Sequence, residues 1–463
     1  MKEWIKRAED SKLAMRIALA LIFIWGVVMS FLVPPWQTPD EYAHLKMIGE
    51  SLGNEEMANQ MLYDMELDLT RIMNQYDEKV DRSQWQESFI KAPGYSRGEC
   101  MPKSISLSVI KHMPAASGVV LGLLLHLPTF WTLELGELFS LIFYVSVCGL
   151  ALKLMPAKKE VLLLFMALPM SVQQASSLNY DAVLLPLCFL FIAYLFYLRC
   201  EKDRLGWKEA GTTLLLLALV VYIKLPYLFL GLLVFLLPKE KIHLQCPWGE
   251  INGEAIRKWR LPVGIGLVLF TGVGLYAVRS NFWVNLVSGM ILEWKQSLRL
   301  FWLTAVFCKR HILISSVGKF GWMESGVSLG FVFVTYLWVL VLAVCKQGKE
   351  EKTLVKRKSG AYLWIVFLIL CVFIALSMVN HTIKVSQFGG EDANVTYDVR
   401  EMIYNLPYIG GLQGRYFLPF LPLPFLTLPE KIRIGSCRTW LPVIYMIIAM
   451  AVSFTVLYQR YWM

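Results

Sequence analysis

Charge is what this sequence has least of. Asp, Glu, Lys and Arg together make up 17% of the residues, against 56% hydrophobic ones, and the mean hydropathy is +0.52. A soluble globular chain is about 25% charged, so this composition excludes one and marks an integral membrane protein. Nucleotide-binding fingerprints of the G-x-G-x-x-G kind are missing, as are zinc-finger spacings and nucleic-acid motifs. The net charge of +10 is therefore assigned to Lys and Arg in cytoplasmic loops, which set topology, and no nucleic-acid partner is expected. No C-x-x-C occurs. The nine cysteines are scattered, and Cys148, Cys188, Cys345 and Cys371 lie in or beside apolar runs, where packing is the default role; a Cys100–Cys308 bridge outside the membrane stays open. Fixed-period repeats and low-complexity tracts are absent as well.

What is present is a series of apolar runs. The first, Leu13 to Val33, is long enough to cross a bilayer as one helix. It lacks a small-residue cleavage site and ends in Pro34-Pro35, so it reads as a retained signal anchor. Lys2, Lys6, Arg7 and Lys12 precede it and place the N-terminus in the cytoplasm. Residues 34–112 are the one long polar segment, too long for a passive connection and expected to be folded and functional. Residues 113–128 are apolar but short, and are expected to lie at the interface or re-enter. Further spans are expected at 134–155, 160–177, 182–199, 261–278, 326–344, 361–379, 416–429 and 440–457. The run 211–238 is broken by Lys224-Leu225-Pro226, and two short helices meeting there keep the basic residues from Lys239 to Arg260 inside. The expectation is an all-α polytopic protein with about eleven transmembrane helices, forming a single membrane domain over 1–463 whose large first outer loop is 34–112 and whose remaining interfacial and transmembrane helices fill 113–463.

With this topology the unusual polar motifs fall on one side, the extracytoplasmic one: Asp40-Glu41-x-x-His44, Lys111-His112, Asn179-x-Asp181, Lys224, Gly321-Trp322-Met323-Glu324 and Gln413-Gly414-Arg415-Tyr416. Ionisable groups at a membrane boundary are costly unless used or paired. Asp40 and Glu41 suit a general base, a metal ligand or a helix cap, since Asp40 after Thr38-Pro39 is well placed to cap a helix over 41–52. His44 lies one turn on, to orient a carboxylate or bind substrate, or as a solvated loop histidine. Asp181 is read first as the cap of the span that follows, with a site role secondary. Lys224 at a helix break binds a phosphate or snorkels. Arg415, among glycines, offers a fixed fork to a phosphate or anchors the interface beside Tyr416. Trp322 is read as an interfacial aromatic. Asn394-Val395-Thr396 fits a glycosylation sequon, a triplet common by chance.

Taken in order, Pro34-Pro35, Pro39-Asp40-Glu41-x-x-His44, Ala167-Leu168-Pro169-Met170, Ser176-Ser177-Leu178-Asn179-x-Asp181, Lys224-Leu225-Pro226-Tyr227, Gly321-Trp322 and Gly411-Leu412-Gln413-Gly414-Arg415-Tyr416-Phe417-Leu418-Pro419 resemble the bacterial predicted-membrane-protein family called domain of unknown function 2142. Trp36-Gln37-Thr38 departs from the compact Pro-Pro-Asp-Glu expected there. That family is similar to the glycosyltransferase C (GT-C) superfamily. The resemblance implies a GT-C-like multi-span fold, a catalytic carboxylate at the start of the first outer loop, and a polyprenyl-phosphate-linked sugar donor. Asp40 would be the base with Glu41 assisting. The donor and its phosphate would be bound by Lys224, Arg415, His44, Asn179, Asp181, Gln413, Tyr416 and Trp322. The expected reaction inverts the anomeric centre and delivers the sugar to an envelope glycan or lipid at the outer face of the plasma membrane. No cofactor is expected; a divalent metal stays open without a convincing ligand set. The rival readings are a transporter or flippase of lipid-linked saccharides, and a non-catalytic subunit of an envelope polysaccharide assembly.

Overall fold

A computed structural model describes residues 2–65, 78–80, 90, 101–246, 249–252, 282–346, 354–387, 406–435 and 437–463. These residues are mostly helical, and seven helices are long and apolar enough to cross a membrane. The first apolar run lies in α1 (Lys2–Leu32). It ends where Pro34-Pro35 removes backbone donors and bars further helix. The polar segment that follows contributes α2 (Glu41–Ser51) and α3 (Glu55–Asp64), the latter capped by the Asn54 side chain, which accepts from the Met57 N–H. Much of the rest of 34–112, including Cys100, lies outside the described residues; Cys308 is a free thiol.

Residues 113–128 do more than the sequence suggests. A 3-10 turn over Leu107–His112 runs directly into α4 (Met113–Leu124), giving 18 residues of apolar helical chain. Polar Lys111 and His112 conceal that length in the sequence. α4 packs on α5 (Thr129–Leu154). The fit depends on Gly118 and Gly122, where a Cβ would strike Leu135 and Gly136 or Thr132. Small residues four apart let two helices approach closely.

The expected span 160–177 is corrected. It is two short helices, α6 (Lys159–Met166) and α7 (Pro169–Ala175), because Pro169 cannot continue α6 and biases Leu168 to extended backbone. The span expected at 182–199 is α8 (Asp181–Cys200), which packs on α5 and on α9 (Trp207–Ile223). α9 stops at Lys224, and the apolar chain resumes as a 3-10 helix over Leu225–Leu236, so the break falls at Lys224-Leu225-Pro226. The expected span 261–278 lies outside the described residues. Between the spans expected at 261–278 and 326–344, where no further span is expected, lie α10 (Phe282–Leu292) and α11 (Trp294–Val317), the second long and apolar enough to span. Arg299, Lys309, Arg310 and His311 hide that run.

α12 (Leu329–Val344) is apolar but shorter, and α13 (Arg357–Gln387) carries a membrane-length stretch over Arg357–Val379. The expected span 416–429 is not a helix of that length. It is a 3-10 turn over Gly414–Phe417 followed by the short α14 (Pro422–Leu426), since Pro419, Pro422, Pro424 and Pro429 punctuate it. α15 (Cys437–Tyr461) closes the chain against α1.

The two ends of the bundle differ in charge. At one, Lys158 donates to the Leu428 carbonyl and Arg199 to the Leu236 carbonyl at the end of the 3-10 helix. Nearby, buried Arg438 pairs with Glu160 (3.5 Å) and Glu430 (3.4 Å). At the other end, α1, α7, α8, α9 and the 414–417 turn bring their polar termini together.

Candidate functional site

The hairpin after α1 sets the site's first carboxylate. Trp36 and Asp40 both have positive φ, 65° and 68°, a conformation uncommon for residues with a Cβ. Asp40 occupies the N-cap position of α2 but makes no side-chain cap, so the capping expected of it is corrected: the left-handed backbone turns its carboxylate away from the helix it precedes. Oδ2 instead accepts from Arg415 Nη2 at 3.0 Å. Trp322 braces the hairpin, its Nε1–H donating to the Trp36 carbonyl (2.8 Å) and its ring stacking on Tyr42.

Arg415 reaches that position because Gly414 lets its turn lie against α11. A Cβ on Gly414 would run into the Ile312 carbonyl oxygen and the Ser316 amide nitrogen, and the Gly414 N–H donates to Ser315 Oγ at 2.7 Å. The guanidinium is buried, with 2% of its side chain exposed against 56% for Asp40. Nη1 donates to Gln174 Oε1 at 3.1 Å, and the same oxygen accepts from Asn179 Nδ2 at 3.2 Å. Burial works against the guanidinium's charge, but the fields of Tyr416, Asp181 and Asp40 outweigh it, so Arg415 is held protonated.

Lys224, half-buried at the break after α9, lies 4.3 Å from the centre of the Tyr416 ring and 5.6 Å from that of Tyr180. Arg415 is 5.2 Å from the same Tyr416 ring, so one aromatic face system gathers both cations. Asp181 supplies opposing charge to both. It does not cap α8 with its side chain, as expected of it. It is the helix's first residue, and its own N–H donates to Asn179 Oδ1 at 3.0 Å. Gln413 has a buried Oε1 without a partner among the described residues.

His44 points into the same wall. Its Nδ1 is 2.9 Å from His112 Nε2, and its ring meets Tyr180 edge-on at 4.7 Å. Burial, then the charges of Arg415 and Lys224, push the imidazole down to about 3, so it is a neutral hydrogen-bonding group at physiological pH.

Glu41 turns the other way from Asp40. Fully buried, it accepts from the Trp36 N–H (3.0 Å) and the Leu178 N–H (3.4 Å) and shares a hydrogen bond with Glu137. Ionised carboxylates only accept, so this pair shares a proton. Burial raises Glu41 to about 7. Glu137 and Glu134, one turn apart on α5, line a cavity of about 350 Å³ between α1 and α5, together with Ser30, Gly26, Phe31 and Trp131. Glu134 accepts from Ser30 Oγ at 2.9 Å.

Asp40, Arg415, Lys224, Tyr416, Asn179, Asp181 and His44 are thus brought together, while Glu41 faces away and Trp322 acts as a brace. Gln174, Tyr180, Glu134 and Glu137 were not singled out from the sequence. The doublet Gln173-Gln174 between apolar stretches, and two glutamates at helical spacing at the mouth of a span, were the available signals. Among the described residues no group of three or more His, Cys, Asp and Glu side chains could hold a metal ion.

No curated protein matches the chain. No solved structure matches it either. One family model does, over residues 23–424, and the chain therefore belongs to the family described as predicted membrane protein (DUF2142).

Proposed function

We propose that this protein is a membrane glycosyltransferase of GT-C type, which moves a sugar from a polyprenyl-phosphate donor to an envelope glycan or lipid acceptor at the outer face of the plasma membrane. The observation that carries this reading is the buried Arg415 guanidinium held against a half-exposed carboxylate, Asp40, with Lys224 on the same aromatic ring. A lipid-borne phosphate travels at headgroup level, where such a pair of cations recognises it without a nucleotide fold. The acceptor oxygen attacks the anomeric carbon as the carbon–oxygen bond to phosphate breaks. That bond's electron pair stays on the phosphate oxygen, where Arg415 and Lys224 stabilise it. The hydroxyl proton passes to Asp40, and the configuration inverts. The cluster of Lys158, Arg199 and Arg438 at the opposite end supports placing that end in the cytoplasm.

The test is transfer from a radiolabelled polyprenyl-phosphate sugar by the protein in proteoliposomes. Asp40→Asn is expected to lower turnover by about 100-fold or more while expression holds; wild-type turnover in that variant removes Asp40 as the base.

A second reading is favoured by the cavity between α1 and α5, whose carboxyl groups the transfer chemistry does not use. Intramembrane carboxyls are also what a transporter of lipid-linked saccharides needs. It predicts movement of labelled lipid-saccharide across vesicles with no new glycosidic bond.

A further inference from the structure

Two of the groups that hold Arg415 are of opposite character; a third, the Tyr416 hydroxyl, accepts from Nη2 at 3.5 Å. Gln174 is completely buried, and its Oε1 is already shared between Arg415 Nη1 and Asn179 Nδ2. Gln174 also sits on α7, whose bounding Pro169 and following Ser176-Ser177 turn fix its place between α6 and α8. That amide is closed to solvent. Asp40 is the reverse: more than half of its side chain is exposed, it caps nothing, and its only described side-chain partner is Arg415 Nη2. Arg415 Nε is buried without a partner among the described residues. The guanidinium therefore has a fixed contact at Gln174 and a replaceable charged one at Asp40.

A phosphate oxygen is the natural competitor for the replaceable contact. It is an oxyanion of the same hydrogen-bonding type as a carboxylate, and it carries further oxygens for Lys224, whose ammonium has aromatic faces beside it and no ion pair among the described residues. Asp40 reaches only Arg415. We propose that Gln174 is a positioning residue that anchors Arg415, and that Asp40 is an exchangeable partner which the donor's phosphate displaces, so that binding the donor is what frees the base. This rests on the donor reading above.

Two consequences follow from the exchange. Without donor, Asp40 is tied to a guanidinium and withdraws no proton from water or acceptor. With donor on Arg415, the Asp40 carboxylate is released a few ångströms from the sugar-bearing phosphate, free to accept the hydroxyl proton. Asp40 and phosphate also compete for one fork, so the carboxylate that turnover needs weakens donor binding.

The exchange is tested with the full chain in nanodiscs, titrated calorimetrically with citronellyl phosphate as a short prenyl monophosphate. Asp40→Asn leaves Arg415 with a neutral partner and is expected to bind the probe about tenfold more tightly than wild type, while sugar transfer is lost. Gln174→Leu releases the fixed contact and is expected to bind about tenfold more weakly, with Asp40 still present to hold the arginine away. In the double variant the two effects are expected to fall short of additivity, because both act on one guanidinium. A merely structural ion pair gives a different pattern: removing Asp40 lowers affinity or leaves it unchanged. Equal or weaker binding by Asp40→Asn, with wild type binding the probe, overturns the exchange and leaves the donor reading standing. No binding by wild type overturns the donor reading and the exchange together. Asp40→Ser carries the same expectation as Asp40→Asn and replaces it if that variant does not fold.

Discussion

Glu41 makes the stability of this protein depend on pH in a direction opposite to that of an ordinary ion-paired carboxylate. Burial, opposed by hydrogen bonds from Glu137 and from the Leu178, Trp36 and Thr38 amides, raises the group from 4.5 to about 7. Below 4.5 the carboxyl is protonated in both folded and unfolded chains, and the folded state keeps its full stability. Between 4.5 and 7 the unfolded chain releases the proton and the folded one does not, so stability falls as pH rises. Above 7 the loss is complete. At about 1.4 kcal/mol per pH unit, the interval corresponds to about 3 kcal/mol. Glu41→Gln keeps the shape with nothing to ionise; its one amide oxygen replaces only one of the two carboxylate oxygens that accept separately from the Trp36 and Leu178 N–H groups, a cost common to both pH values. Unfolding of the two proteins in one detergent, followed by tryptophan fluorescence at pH 5 and pH 8, reads the response of the hydrogen-bonded Glu41–Glu137 pair, because the titrating groups outside it are common to both. Relative to wild type, Glu41→Gln gains about 2–3 kcal/mol on going from pH 5 to pH 8. An equal wild-type-to-variant difference at both pH values refutes the assignment of a shared proton to Glu41 and Glu137.

The remaining predictions concern the other wall and the turn that delivers Arg415. His44 is pushed down to about 3 from an ordinary 6.5, so its contribution is present above 6.5 and is lost as pH falls toward 3. By pH 4 wild type loses about 3 kcal/mol that His44→Gln does not lose, a difference read from acid unfolding curves of both. Gly414→Ala drives a methyl into the Ile312 carbonyl and the Ser316 amide. It is expected to destabilise by about 1–3 kcal/mol and to weaken prenyl-phosphate binding by shifting Arg415, as measured by thermal unfolding and the same titration.

Much of this arrangement was legible in the residues because hydropathy and proline act locally. The runs at Leu13–Val33, 182–199, 361–379 and 440–457 correspond to helices with membrane-length stretches. The break at Lys224 follows from a proline next to a charge inside an apolar run. The errors come from the same local rules pushed past their range. Average hydropathy joined α6 to α7 and filled 416–429 with helix, although the chain's own prolines divide both. It also discarded α11, whose arginines and lysines interrupt the run. The site was legible only as a set of suspects. Asp40 and Arg415 are 375 positions apart, and no spacing rule links them. Gln174 joins them through an amide that looks, in sequence, like one more polar residue beside a helix.

Asp40 and Glu41 are the sharpest case, because adjacency misleads there. Two neighbouring carboxylates invite a shared role, with one as base and the other as helper. The backbone prevents it. Asp40 takes φ of 68° immediately before α2 begins, and this turn sends its side chain toward Arg415 while Glu41, as the helix's first residue, points inward to Glu137. One carboxylate is therefore half in water against a cation, and the other is in a protein interior sharing a proton. Their environments separate their chemistry in the way that lets two like groups do different work in one site. The strained residue is the exposed one, which bears on why it is Asp: a short side chain tolerates the left-handed conformation better than most. Asn tolerates it equally, so Asp40→Asn preserves the turn and removes only the charge. The two neighbours are then expected to respond differently to the same isosteric change: Asp40→Asn in phosphate binding and turnover, and Glu41→Gln in the pH dependence of unfolding.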